Sequence, residues 1–272
     1  MRRLINLKPN RGASIVLAAL PFVLLIAAYM AGSAERLAVN PSDKLLPALS
    51  TMANAIERYA FKPDPRSGDY LLWADTAASL IRLFAGCAAA TIISLFIGVA
   101  VGLIPFLRAT FDPFIAALSM VPPLAVLPIL FVVFGLTETS KIILITFGIT
   151  PFITRDLILR VSEIPQEETV KAQTLGASTW QIALRVVLPQ IWPRLIDGLR
   201  LSLGIAWLAL IAAEAIASES GLGYRIFLVR RFFAMDVILP YVAWITFLAF
   251  MLDISLRALQ SKLFPWFAAQ RD

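Results

Sequence analysis

The sequence predicts an all-α fold: a polytopic helical membrane protein with about six transmembrane helices. Three observations carry this. Hydrophobic residues make up 59% of the 272 and charged residues only 15%, against about half and about a quarter in a soluble domain. Mean hydropathy is +0.80, so the excess apolar surface needs lipid as its solvent. Charge-free runs of spanning length recur along the chain.

The first run, residues 13–31, follows Arg2, Arg3, Lys8 and Arg11. It is longer than a usual signal-peptide core, so we expect a retained first helix. Residues 32–74 are polar and contain Pro41, Pro47, Pro63 and Pro65. Within them Leu45, Leu49, Met52, Ala53 and Ile56 share a helical face, which predicts a surface amphipathic helix over 44–59. A turn over 62–68 follows; a loose loop is the alternative reading. Runs 83–107 and 113–137 are each long enough for the ~20 residues of a spanning helix. Met120-Val121-Pro122-Pro123 interrupts the second of them. Runs 142–154, 201–213 and 237–252 are short. Each spans only by including neighbouring charges: Arg155 with Asp156, Glu214, and Asp253. Such groups avoid lipid, so helices four to six are expected to form the protein-facing core. Asp253 and Arg257 are spaced for an i,i+4 ion pair.

Six crossings from an internal N-terminus put both termini in the cytoplasm. Fourteen Lys and Arg then lie inside and ten outside, the sense the positive-inside rule demands. Residues 154–200 become a long cytoplasmic connection, a length that points to function. Ile164-Pro165 should start a helix with Glu167 and Glu168 in its first turn. Gly176 should end or kink it. Ser178 should cap a second stretch over 179–187, and Pro189 should stop that one. The expected result is a compact knob of two short helices.

Several chemistries are disfavoured. Histidine is absent and Cys87 is alone in an apolar run, which removes the commonest general base and any thiol cluster. The net charge of +6 fits basic loops, and no basic-aromatic ladder suggests nucleic acid. No GxxxxGK[ST] motif occurs, so ATP would be handled elsewhere. We expect no catalytic residues, no cofactor and no metal in this chain.

Leu175-Gly176-Ala177-Ser178, then nine residues from Gly176 to Val186, then Leu188-Pro189 resemble the EAA loop of ABC-importer permeases. Gly198-Leu199-Arg200-Leu201, Ala213-Glu214 and Ser220-Gly221-Leu222-Gly223-Tyr224 resemble the nitrate/taurine/aliphatic-sulfonate branch of these binding-protein-dependent, MetI-like permeases. The resemblance runs from about residue 80 to residue 263. The family's usual Glu and Ala are replaced by Val170 and Lys171, with Ala172 retained and the acids earlier at Glu167 and Glu168.

The resemblance implies a homodimer in a bacterial inner membrane, two ATP-binding subunits below it and a periplasmic solute-binding protein above. It makes the loop over 162–193 a coupling helix. Glu168, Lys171, Ala172, Gly176, Ala177, Leu188 and Pro189 would be the residues that meet the ATPase. It divides the chain into an N-terminal segment, 1–74, and a permease core, 75–265. The cargo would be a small anion moved by alternating access; an ion-coupled secondary transporter is the alternative.

Three further features have two readings each. Pro122 and Pro123 either line the pathway or make a simple kink. Glu214 either lines or gates the pathway, in a pair with an Arg, or caps a helix end. Arg225, Arg230 and Arg231, in the expected outer loop, either serve transport, by docking a binding protein or drawing in an anion, or belong to a solvated loop. The Gly98–Gly102 spacing, with Gly86, suits close helix packing.

Overall fold

The structure is a computed structural model that describes residues 9–41, 43–65 and 67–268. Arg2, Arg3, Lys8 and Arg271, on which part of the expected orientation rests, lie outside the described residues. The described residues are helical, with no strand among them.

Helix α1 (Arg11–Val39) is about 44 Å long at 1.5 Å per residue, enough to cross a bilayer. Its most apolar stretch buries nothing against the rest of the chain, so this chain leaves its apolar surface uncovered. It is tied to the following loop at one end. Tyr29 donates to the Pro47 carbonyl (2.7 Å), Ser33 to that of Leu46 (2.9 Å), and Arg36 pairs with Asp43. Helix α2 (Leu49–Ala60) realises the expected amphipathic segment, starting after Leu45. Its Leu49, Met52, Ala53 and Ile56 line an apolar groove of about 580 Å³ against Tyr29 and Trp244.

The core is built on α3 (Leu71–Leu103), α6 (Glu138–Ser162) and α9 (Leu188–Ala217). Glycine explains how closely α3 meets α6. A Cβ on Gly86, Gly98 or Gly102 would lie 2.7 Å from Ile145, Leu157 or Val161 respectively. The partners advance in step along both helices, so α3 and α6 run parallel and in near-backbone contact. Helix α9 returns antiparallel, with Gly198 opposite Ile153 and Ile205 opposite Gly148.

This corrects the expected core. The most apolar stretch of α11 (Met235–Leu263) is only 11% buried, against 50% for α6, 44% for the α9 stretch and 33% for α3. Small residues, not flanking charges, decide which helices reach the middle. The expected Asp253–Arg257 pair is also replaced. Arg200 of α9 takes both Asp253 oxygens in a bidentate pair, at 2.9 and 3.0 Å.

The third run is not one straight span. Helices α4 (Pro105–Leu118) and α5 (Pro123–Phe134) meet at 93°. Pro122 and Pro123 have no N–H to continue the ladder. The broken end is satisfied locally: Ser119 donates to Ala116, Met120 to Ala117 and Val121 to Leu118. Pro123 then packs on Gly148, where a Cβ would come within 3.1 Å of its ring.

Pro189 does not stop a helix. Helix α8 (Thr179–Ile182) runs through a π-turn (Ala183–Val187) straight into α9. The Leu188 N–H reaches back five residues to the Ala183 carbonyl. That wider turn gives room where the Pro189 ring would otherwise press on the preceding turn. Among the described residues, five helices are long and apolar enough to span, or six if the bent α4–α5 pair counts as one.

Candidate functional sites

Two constellations stand at opposite ends of the α3–α6–α9 core. At the end where α6 finishes and α9 begins, α7 (Gln166–Thr174) starts directly after Pro165 with Glu167 and Glu168 in its first turn. Gly176 has φ +81°, a left-handed conformation that penalises residues with a Cβ. The turn closes with Gly176 N–H donating to Gln173 and Ala177 N–H to Ala172. Ser178 and Gln181 then form a capping box: Gln181 N–H donates to the Ser178 hydroxyl, and Ser178 N–H to the Gln181 side chain.

The knob is therefore locally well specified, yet its apolar tips are bare. Leu175 is 87% exposed, Trp180 70% and Val170 52%. Lys171 is exposed, while Ala172 and Ala177 turn toward the core. Glu168 accepts from Gln190 of α9 at 2.7 Å. Leu188 and Pro189 lie at the joint with α9 rather than on the exposed tip.

At the other end, ion pairs and hydrogen bonds link α3, α6 and α9 to α10 (Leu222–Arg230). The segment expected as an outer loop is thus partly a helix. Glu214 is fully buried. Its oxygens accept from Ser79 (2.8 and 2.9 Å), Arg82 Nη1 (2.6 Å) and the Gly223 N–H (2.9 Å). Arg82 also donates to the Ser220 carbonyl (2.8 Å) and to Glu138 (Nη2, 2.9 Å). Lys141 donates to the same Glu138 at 2.7 Å. Glycine is required here because a Cβ on Gly221 or Gly223 would strike the Glu214 side chain.

Beside this, buried Asp75 accepts from Arg225 Nε (2.7 Å), the Gly221 N–H (3.0 Å) and the Tyr241 hydroxyl (3.3 Å). Burial works against the Arg225 charge, but Asp75 outweighs it and raises the guanidinium above its ordinary value.

The candidate residues thus separate. Arg225 points inward to Asp75. Arg230 and Arg231 stay exposed, stacked on Phe227 and Phe232 at 4.8 and 4.9 Å. In this conformation Glu214 is closed over by its donors and presents no surface to a solute. Pro122 and Pro123 lie away from it, at the α4–α5 break. Asp75, Ser79, Arg82, Glu138 and Lys141 were not singled out from sequence. Their available signal was an Arg at the edge of an apolar run matched by an acid at the edge of another.

Residues 77–268 match the family described as "Binding-protein-dependent transport system inner membrane component". The chain belongs to this family. It is a permease subunit of an ABC importer, multi-pass in the inner membrane, which sets aside the ion-coupled alternative. The match contains the knob and the Glu214 network, with Asp75 just before its start, and leaves α1 and α2 outside it.

The taurine transport system permease protein TauC of Escherichia coli is 41% identical over 198 residues, 73% of this chain and 72% of that protein. The nitrate import permease protein NrtB of Synechococcus elongatus is 31% identical over 210 residues, 76% of this chain and 75% of that one. The fold resembles the MetNI methionine ABC transporter in inward-facing conformations, with TM-score 0.63 and 19% identity over 73% of this chain and 99% of that chain. At that identity the likeness speaks for the fold alone.

Proposed function

We propose that this permease works as a homodimer, carrying a small oxyanion-bearing solute into the cytoplasm by alternating access. Two ATP-binding subunits sit below and a periplasmic solute-binding protein above. ATP is hydrolysed on the separate subunits. The observation that carries this reading is the knob: a preformed turn at Gly176 that holds Val170, Leu175 and Trp180 in the open. Bare apolar side chains on a rigid polar connection are what a protein groove selects. We assign Glu168, Lys171, Ala172, Gly176, Ala177, Leu188 and Pro189 to this coupling loop, with residues 1–74 as an N-terminal addition to the 75–265 core.

Both termini are then cytoplasmic, and the Glu214 end faces the periplasm. Arg230 and Arg231 meet an acidic surface of the binding protein, a reading supported by their exposure, with Arg225 bracing the helix before them. Pro122, Pro123 and Glu214 belong to the moving parts: the broken helix beside α6, and the latch joining α3, α9 and α10. Support for an oxyanion comes from the relatives' names, which are taurine, nitrate and, in a third case from Synechococcus elongatus, bicarbonate.

The test is reconstitution of the tagged permease in proteoliposomes with its ATPase and binding protein. ATP-dependent uptake of a sulfonate is expected. Uptake that needs an ion gradient and no ATPase would overturn the reading.

A further inference from the structure

Glu138 is the odd member of the buried network. Its side chain is 57% exposed, yet it rests on Arg82 and Lys141, whose side chains are 6% and 3% exposed. The cations face protein and the anion faces outward. The Arg82 fork presents Nε and Nη2 to the two Glu138 oxygens, and Lys141 Nζ reaches one of them at 2.7 Å. That is a three-donor cradle suited to any oxyanion.

The charges show what the cradle lacks without Glu138. Arg82 and fully buried Glu214 balance each other, with Ser79 and Gly223 completing the Glu214 shell. Glu138 therefore balances Lys141. A buried ammonium without a partner is strongly disfavoured, so one negative charge is required there, and nothing in the geometry requires it to be tethered. The cradle opens on a cavity of about 530 Å³, lined by Thr137, Glu138, Lys141, Ser218 and Glu219 among others. The Ser218 hydroxyl there is buried and has no hydrogen-bond partner.

We propose that Glu138 is a resident anion that gives up its place. A solute carrying one oxyanion group takes Arg82 Nε and Nη2 and Lys141 Nζ, while the Glu138 side chain swings into the cavity. The site then discriminates by charge at the mouth of the permease: a monoanion replaces the Glu138 carboxylate on the cradle one for one, whereas a cation finds no acceptor among Arg82 Nε and Nη2 and Lys141 Nζ. This rests on the anion-import reading and names where the anion first binds.

The test is a direct titration of the purified permease–ATPase complex in nanodiscs, without binding protein and in low-chloride buffer, using ethanesulfonate as probe. Removing the tethered competitor should expose the cradle. Glu138→Gln is expected to bind ethanesulfonate at least about tenfold more tightly than wild type, and Glu138→Asp, with its shorter reach, to fall between. Adding Lys141→Gln to Glu138→Gln should abolish the gain. Ethylammonium should gain nothing. A purely structural role for Glu138 predicts loss of stability and no gain in affinity. No gain in either folded Glu138 variant, or a gain that survives Lys141→Gln, overturns the proposal. If the wild-type complex imports sulfonate while Glu138→Gln shows no gain, only this site falls. If the complex imports no anion, the import reading falls and the titration still judges the cradle.

Discussion

Gln190 of α9 donates a hydrogen bond to Glu168 of α7 across 2.7 Å. This contact ties the first knob helix to a spanning helix that reaches the Glu214 network at its far end. Movement of the knob therefore has a direct mechanical route into the core.

Gln190→Leu should loosen that route without unfolding anything. The bond is exposed and worth about 1 kcal/mol, or roughly fivefold in an equilibrium. Thermal stability in detergent should stay near wild type, while ATP-driven uptake in proteoliposomes falls severalfold. Uptake equal to wild type would remove this contact from the coupling path.

Close approach of α3 to α6 gives a stability prediction with an internal control. Gly98→Ala puts a Cβ 2.7 Å from Leu157, whereas at Gly204 nothing lies within 4 Å. Overpacking of this kind costs about 1–3 kcal/mol. Gly98→Ala should therefore lower the melting temperature of the purified protein measurably, and Gly204→Ala should not.

The latch at the other end should be unforgiving. Glu214→Ala leaves Arg82 buried beside a void and breaks an ion pair, at a cost of about 3–5 kcal/mol. Its expected outcome is low yield of folded protein by size-exclusion fluorescence. Full yield would mean that Glu214 is not a structural tie.

What the sequence made legible was local. The capping residue Ser178, the turn at Gly176 and the Pro122-Pro123 break are each written in a few adjacent residues, and each appears where expected. Apolar runs revealed the spans for the same reason. What escaped was set by partners far along the chain. Arg82 and Glu214 meet across more than a hundred residues, and no periodicity marks that meeting. Asp253 meets Arg200, 53 residues away in the chain, and not the arginine one turn away. Pro189 was misread as a stop because a π-turn, which has no clear sequence sign, accommodates it.

Orientation is open to a direct check. In a Cys87-free background, a single cysteine at Thr179 should resist membrane-impermeant maleimide in intact cells, and one at Gly68 should react. Labelling of residue 179 from outside would invert the proposed topology.

Coupling through the knob is the central claim, and Gly176 tests it most directly. A Cβ there meets open space, so the constraint is the backbone at φ +81° alone. Asn tolerates that conformation, whereas a β-branched residue is strained by about 1–3 kcal/mol. The decisive measurement is ATP-driven uptake by proteoliposomes carrying Gly176→Val or Gly176→Asn, beside ATPase retention on the tagged permease. The account predicts that both variants insert normally, that Asn keeps most of the transport, and that Val loses transport and releases the ATPase. Wild-type uptake by Gly176→Val, with the ATPase still bound, would contradict it.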